Sequence, residues 1–134
     1  MPVFSPTGRW VAFTSNESGR YEVYACRYPV CGSHVQISTE GGTQPQWRGD
    51  EKEFFYVAPG GWIMSVPIDG SSPALNPGTP VRIAQVSLRP PRDEEREYDV
   101  TRDGRRFLIN YAPQEKRSLP ITVVVNWQTE LLAK

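Results

Sequence analysis

The sequence predicts an all-β fold built from three antiparallel sheet repeats, and three observations predict it. The 13 prolines and 11 glycines are scattered through the 134 residues, so no stretch long enough for a helix is free of them until the last few positions. The apolar runs between them are short and dominated by Val, Ile, Tyr, Phe and Trp, the residue types that suit a pleated, half-buried surface. One motif also recurs along the chain. Hydrophobic residues make up 38% and aromatic residues 11%, enough for a core in a single domain spanning 1–134.

The recurring motif begins at Phe4-Ser5-Pro6-Thr7-Gly8-Arg9-Trp10-Val11-Ala12-Phe13. It returns at Trp47-Arg48-Gly49-Asp50-Glu51-Lys52-Glu53-Phe54-Phe55-Tyr56 and again at Val100-Thr101-Arg102-Asp103-Gly104-Arg105-Arg106-Phe107-Leu108-Ile109. Each copy starts on an apolar residue, makes a polar turn with a basic residue, and climbs into an apolar strand. The first two copies are spaced within the roughly 40–50 residues of a propeller blade. The second interval is longer because residues 71–91 form an extended, proline-rich connection. The repeats therefore span approximately 1–44, 45–97 and 98–134.

Each repeat continues with further strands. In the first, the turn Asn16-Glu17-Ser18-Gly19-Arg20 leads to the alternating strand Tyr21–Ala25, and Val35–Ser38 forms the outer strand. In the second, Ala58-Pro59-Gly60-Gly61 leads to Trp62–Val66, followed by Val81–Ala84. In the third, a turn over 113–118 leads to Ile121–Val125, and no fourth strand is visible; Gln128–Lys134 reads as a short helical turn or a tail. Alternation along these strands predicts a core containing Val11, Phe13, Val23, Phe55, Val66, Phe107, Ile109 and Val123.

The turn chemistry is legible in the motif. Pro6 fixes φ at the second position of a β-turn, Gly8 and Gly104 tolerate positive φ at the bend, and Asp103 can bond its own backbone across the turn. The second repeat keeps Asp50 but places Glu51 where glycine is expected, which predicts a strained or wider turn.

The segment Phe4–Phe13 resembles the blade motif of TolB-like β-propellers, within the WD-like group. That motif has aspartate before glycine; Thr7 replaces it here, while Asp103-Gly104 retains the pair. Ser38-Thr39-Glu40-Gly41-Gly42-Thr43-Gln44-Pro45-Gln46-Trp47 resembles the link between successive blades. The region from Leu88-Arg89-Pro90-Pro91 through Tyr98-Asp99-Val100 to Val125-Asn126-Trp127 is similar to the ends of propellers in large multidomain bacterial proteins, some with a serine/threonine kinase or DNA-binding domain upstream. The resemblance implies a partial β-propeller of three antiparallel blade repeats acting as a sensor or interaction module. A propeller hosts many functions, so the fold alone fixes none of them.

Candidate chemistry is sparse. Fifteen basic and fifteen acidic side chains leave a formal net charge of zero, which argues against a general nucleic-acid partner. No apolar run approaches the roughly 18 residues of a membrane span, and the N-terminus lacks the layout of a signal peptide, so a cytoplasmic setting is expected. His34 is the only histidine and reads as a solvated loop residue without a nucleophile elbow. Cys26 and Cys31 are too few for a zinc site unless chains share it. Two reduced thiols are the preferred reading, with a disulfide across the loop as the alternative. Asp93, Glu94, Glu95, Glu97 and Asp99 alternate with Arg89, Arg92, Arg96 and Arg102, the pattern of a self-neutralising solvated loop rather than a glycosidase pair. No catalytic, cofactor-binding or metal-binding residue is therefore assigned. Among the tryptophans, Trp47 and Trp127 read as core, and Trp62, after Gly60-Gly61, is the candidate exposed aromatic for binding.

The resulting expectation is a non-catalytic protein-binding or scaffolding module, with a protein or peptide ligand and no nucleic acid or membrane partner. The alternative is the propeller portion of a prolyl-oligopeptidase-type peptidase or other multidomain enzyme. Three blades cannot comfortably close a ring of about four to eight. Self-association into a homodimer is therefore expected as well.

Overall fold

The computed structural model describes residues 2–85 and 98–109, together with the backbone of Thr122–Val125. The described residues form eleven strands and no helix, so no helix among them could cross a membrane. Val3–Phe4 (β1), Trp10–Ser15 (β2), Glu22–Arg27 (β3) and His34–Gln36 (β4) make one antiparallel meander. Thr43–Trp47 (β5), Glu53–Ala58 (β6), Trp62–Pro67 (β7) and Val81–Gln85 (β8) make a second. Tyr98–Val100 (β9), Arg106–Ile109 (β10) and Thr122–Val125 (β11) make a third. The three sheets are the three blades. The second begins at Thr43, and the third has three strands among the described residues.

Strand alternation gives each blade two faces, and the apolar side chains are divided between them. The front face of blade 1 (Trp10, Ala12, Val23, Ala25) packs on the back face of blade 2 (Trp47, Phe54, Tyr56, Val66) in one core. The front face of blade 2 (Phe55, Val57, Ile63, Ile83) packs on the back face of blade 3 (Tyr98, Phe107, Ile109) in another. Strand β6 is buried on both sides because Phe54 and Tyr56 point one way and Phe55 and Val57 the other. Of the expected core, Val23, Phe55, Val66, Phe107 and Ile109 are buried. Val11 and Phe13 are only half-buried, because they lie on the back face of blade 1, on which no other blade packs among the described residues. The side chain of Val123 lies outside the described residues, as do Trp127, the carboxylates at 93–97 and the turn over 113–118.

Side-chain bonds also tie the first strands of neighbouring blades. Trp47 Nε1 donates to the Val3 carbonyl at 3.1 Å, and the Tyr98 hydroxyl donates to the Gln44 carbonyl at 2.8 Å. These bonds lace β1 to β5 and β5 to β9.

The turns after these strands share one geometry. Gly8 N–H bonds Ser5 O at 2.9 Å, Glu51 N–H bonds Arg48 O at 2.9 Å, and Gly104 N–H bonds Thr101 O at 2.8 Å. The donor residue is left-handed each time, with φ of 74°, 57° and 72°. Thr7, Asp50 and Asp103 each accept a bond from the amide two residues on. Glu51 thus occupies a glycine conformation, at a cost of about 1–2 kcal/mol. Its buried carboxylate accepts bonds from the Thr7 amide at 2.8 Å and the Thr7 hydroxyl. The residue that departs from the motif's aspartate and the residue that departs from its glycine are therefore partners, and they latch blade 1 to blade 2. The Gly49 N–H to Arg102 O bond of 2.8 Å makes the corresponding link to blade 3.

Burial works against the Glu51 charge, but the bonds from Thr7 and Ser5, with Arg9 nearby, hold its carboxyl below the ordinary carboxylate value of 4.5. A lowered folded pKa stabilises fully above that ordinary value, and the contribution is lost as pH falls through the folded value. Glu51→Gln is therefore expected to lose stability above pH 5 while flattening the acid limb of the stability profile. Urea titrations between about pH 6 and pH 3 would show it; parallel profiles for the two proteins would remove Glu51 from the acid response.

Candidate binding face on the first blade

Sheet register makes the repeats comparable residue by residue. Val11 pairs with Cys26 and Phe13 with Tyr24 in blade 1; Phe54 pairs with Val66 and Tyr56 with Met64 in blade 2. The back face of blade 1 therefore carries Phe4, Val11, Phe13, Tyr24, Cys26 and Tyr28 where blade 2 carries Trp47, Phe54, Tyr56, Met64, Val66 and Ile68. All six residues of blade 2 belong to the core shared with blade 1 or pack against it. Among their counterparts Tyr24 and Cys26 are buried and Val11 and Phe13 half-buried, while the two at the ends of the face are open. Phe4 is 54% exposed and Tyr28 51%, whereas Trp47 and Ile68 are each 7% exposed.

The rings of this face, from exposed Phe4 and Tyr28 to buried Tyr24, hold one another in place. Phe4 meets Tyr28 edge-on at 4.9 Å, Phe13 stacks on Tyr24 at 5.8 Å, and the His34 ring stands edge-on to Tyr24 at 4.9 Å. Such contacts favour one arrangement of a surface that water would otherwise leave loose. His34 is exposed, as expected, but it opens strand β4 rather than sitting in a loop, and its Nε2 lies 2.6 Å from Glu17 Oε1.

Two expectations are corrected here. Cys26 and Cys31 are bridged by a disulfide, not reduced. Cys26 lies one residue before the end of β3, across from His34 of β4, and the return of the chain into β4 brings the two Cα atoms to 5.2 Å, a separation a disulfide fits. The bridge closes a loop presenting Tyr28 and exposed Val30 beside the aromatic face. The second correction concerns Trp62. It is half-buried as the first residue of β7, and the Arg82 guanidinium lies 4.7 Å from its ring centroid. A bulge between Ile63 and Met64 shifts β8 so that Arg82 pairs with Met64 and reaches the indole, a cation–π contact that covers the ring. Asp99, the described carboxylate of the charged run, is exposed on β9. The aromatic face itself was missed as a site. Its signal lay in the repeat, since the aromatic positions of the first copy match core positions of the second.

No family model matches this chain, and no curated protein matches it. Solved structures do. TolB from Acinetobacter baumannii superposes with a TM-score of 0.63 at 17% identity, over 93% of this chain and 29% of that one. A putative 6-phosphogluconolactonase from Bacteroides fragilis gives 0.57 at 13% identity, over 92% of this chain and 37% of that one. The fold is that of a TolB-like β-propeller. An oligogalacturonate lyase from Vibrio parahaemolyticus is also similar, with a TM-score of 0.53 at 17% identity over 82% of this chain and 29% of the lyase. The chain thus spans about a third of the length of the propellers it matches. At these identities the likeness concerns fold, and the residues of the aromatic face belong to this chain's own chemistry.

Proposed function

We propose that this TolB-like chain is a non-catalytic protein-binding or scaffolding module whose contact surface is the back face of blade 1. The observation that carries the reading is the difference in exposure between matched positions, Phe4 against Trp47 and Tyr28 against Ile68. Contiguous apolar surface of this kind marks an interaction site in soluble proteins. The only histidine supports the same reading, because Glu17 and two aromatic rings engage it within that surface. The disulfide beside the face favours an oxidising compartment over the cytoplasm. With equal numbers of acidic and basic side chains, a protein surface fits better than nucleic acid or an anionic membrane.

A second reading, the propeller portion of a peptidase or other multidomain enzyme, is favoured by one observation: the matched propellers are much longer, and two bear enzyme names. In either case this chain by itself is expected to be inactive. Phe4→Asp combined with Tyr28→Asp should leave the circular dichroism spectrum unchanged and abolish association seen by light scattering after size exclusion. Unchanged association in a folded double variant would remove the face from the mechanism. Hydrolase turnover that disappears in His34→Ala would overturn the non-catalytic assignment.

A further inference from the structure

We propose that the partner is a second copy of this chain. The back face of blade 1 in each copy docks on the front face of blade 3 in the other, around a two-fold axis. This rests on the reading of the blade 1 face as a contact surface, and it names the occupant.

Both joints inside the chain are made back on front. A free back face is therefore shaped for a front face, and the chain displays one. Leu108 on β10 points away from Phe107 and Ile109 and is 45% exposed, whereas its counterparts Ala12 and Phe55 in the other blades are fully buried. Around it lies an open hollow of about 430 Å³ bordered by Asp99 and Arg106.

The polar contacts of the joint are matched as well. At the joint between blades 1 and 2, Trp10 Nε1 reaches across from the front face and donates to the Gly70 carbonyl at 2.9 Å. The position of Trp10 is taken by Arg106 in blade 3, and that of Gly70 by Val30 in blade 1. Docking another copy in the same manner brings the Arg106 guanidinium, with its five N–H donors, to the loop of Tyr28–Cys31. The hollow beside Leu108 receives an aromatic side chain of blade 1, as the front face of blade 1 receives Trp47.

Two copies docked in this way use the same joint twice. A net charge of zero puts no overall repulsion in the way.

The test uses the whole chain and two single variants, Phe4→Asp on the back face and Leu108→Asp on the front face, each checked for folding by circular dichroism. Wild type should run at twice the mass of one chain, and each variant alone as a monomer. An equimolar mixture of the variants retains one intact joint, so it should re-form a dimer at a concentration at least about tenfold below that needed by either alone. Should Leu108→Asp unfold, Arg106→Glu replaces it as the front-face variant. A folded Leu108→Asp or Arg106→Glu protein that stays dimeric overturns the joint, and so does a monomeric wild type. Loss of association in Phe4→Asp with none in the front-face variant leaves the blade 1 surface in use but with another occupant. Unaltered association in both variants defeats the surface itself.

Discussion

Phe54→Ala is expected to cost about 3–5 kcal/mol of folding stability, as complete removal of a core aromatic does. Phe54 is fully buried, meets Trp47 edge-on at 4.9 Å, and lies between Trp47 and Val66 in the register of the second blade. Blade 1 covers it from the other side, so little around it can collapse into the gap. The matched substitution Phe13→Ala removes a ring already half in water and should cost clearly less when measured on dissociated protein. Its effect should appear in association instead. Denaturant midpoints at low protein concentration compare the two. Equal costs would show that the back face of blade 1 is core in the monomer.

Glu22→Ala should also be severe, at about 2–6 kcal/mol, because it leaves two buried donors without an acceptor at about 1–3 kcal/mol each. The Glu22 carboxylate is 1% exposed at the junction between blades 1 and 2. It accepts bonds from the Ser38 hydroxyl, the Gly41 amide at 2.9 Å and Arg20 Nε at 2.7 Å. Arg20 is largely in solvent, so the ion pair itself adds little; the loss comes from Ser38 and Gly41, left facing a void. The Ser38 hydroxyl in turn accepts the Val23 amide at 2.8 Å, so the damage extends into β3. Burial, with Glu22 and Glu40 close by, pushes the Tyr56 phenol up to about 12. Glu22→Gln keeps part of the set and should recover part of the loss. A stable Glu22→Ala protein with unchanged thermal unfolding would mean that the link is held by backbone contacts alone.

Most of the architecture was legible because the physics that builds it is local. Turn residues recur at fixed offsets, and alternation assigns Val23, Phe55, Val66, Phe107 and Ile109 to the interior. The strain expected at Glu51 is present as a positive φ. The misreadings share a different character. Phe13 and Val11 satisfy the same pattern as Tyr56 and Phe54, and nothing in a strand records whether a neighbour covers it. Trp62 depends on Arg82, twenty positions away and brought into reach by a bulge. The Cys26–Cys31 pairing depends on how the chain between β3 and β4 returns, whereas the reduced reading rested on an expected compartment. The Glu51–Thr7 latch joins two apparent defects in the motif, and only their spatial proximity shows that each compensates the other.

The two-sided burial of β6 has a consequence for how stability is distributed. Each blade is a thin meander with little interior of its own, so the energy resides in the joints and the molecule behaves as a short one-dimensional lattice with nearest-neighbour coupling. The middle site has two couplings and each end site has one. Opening therefore begins at the ends and moves inward, and whatever caps an end raises the stability of all three sites together.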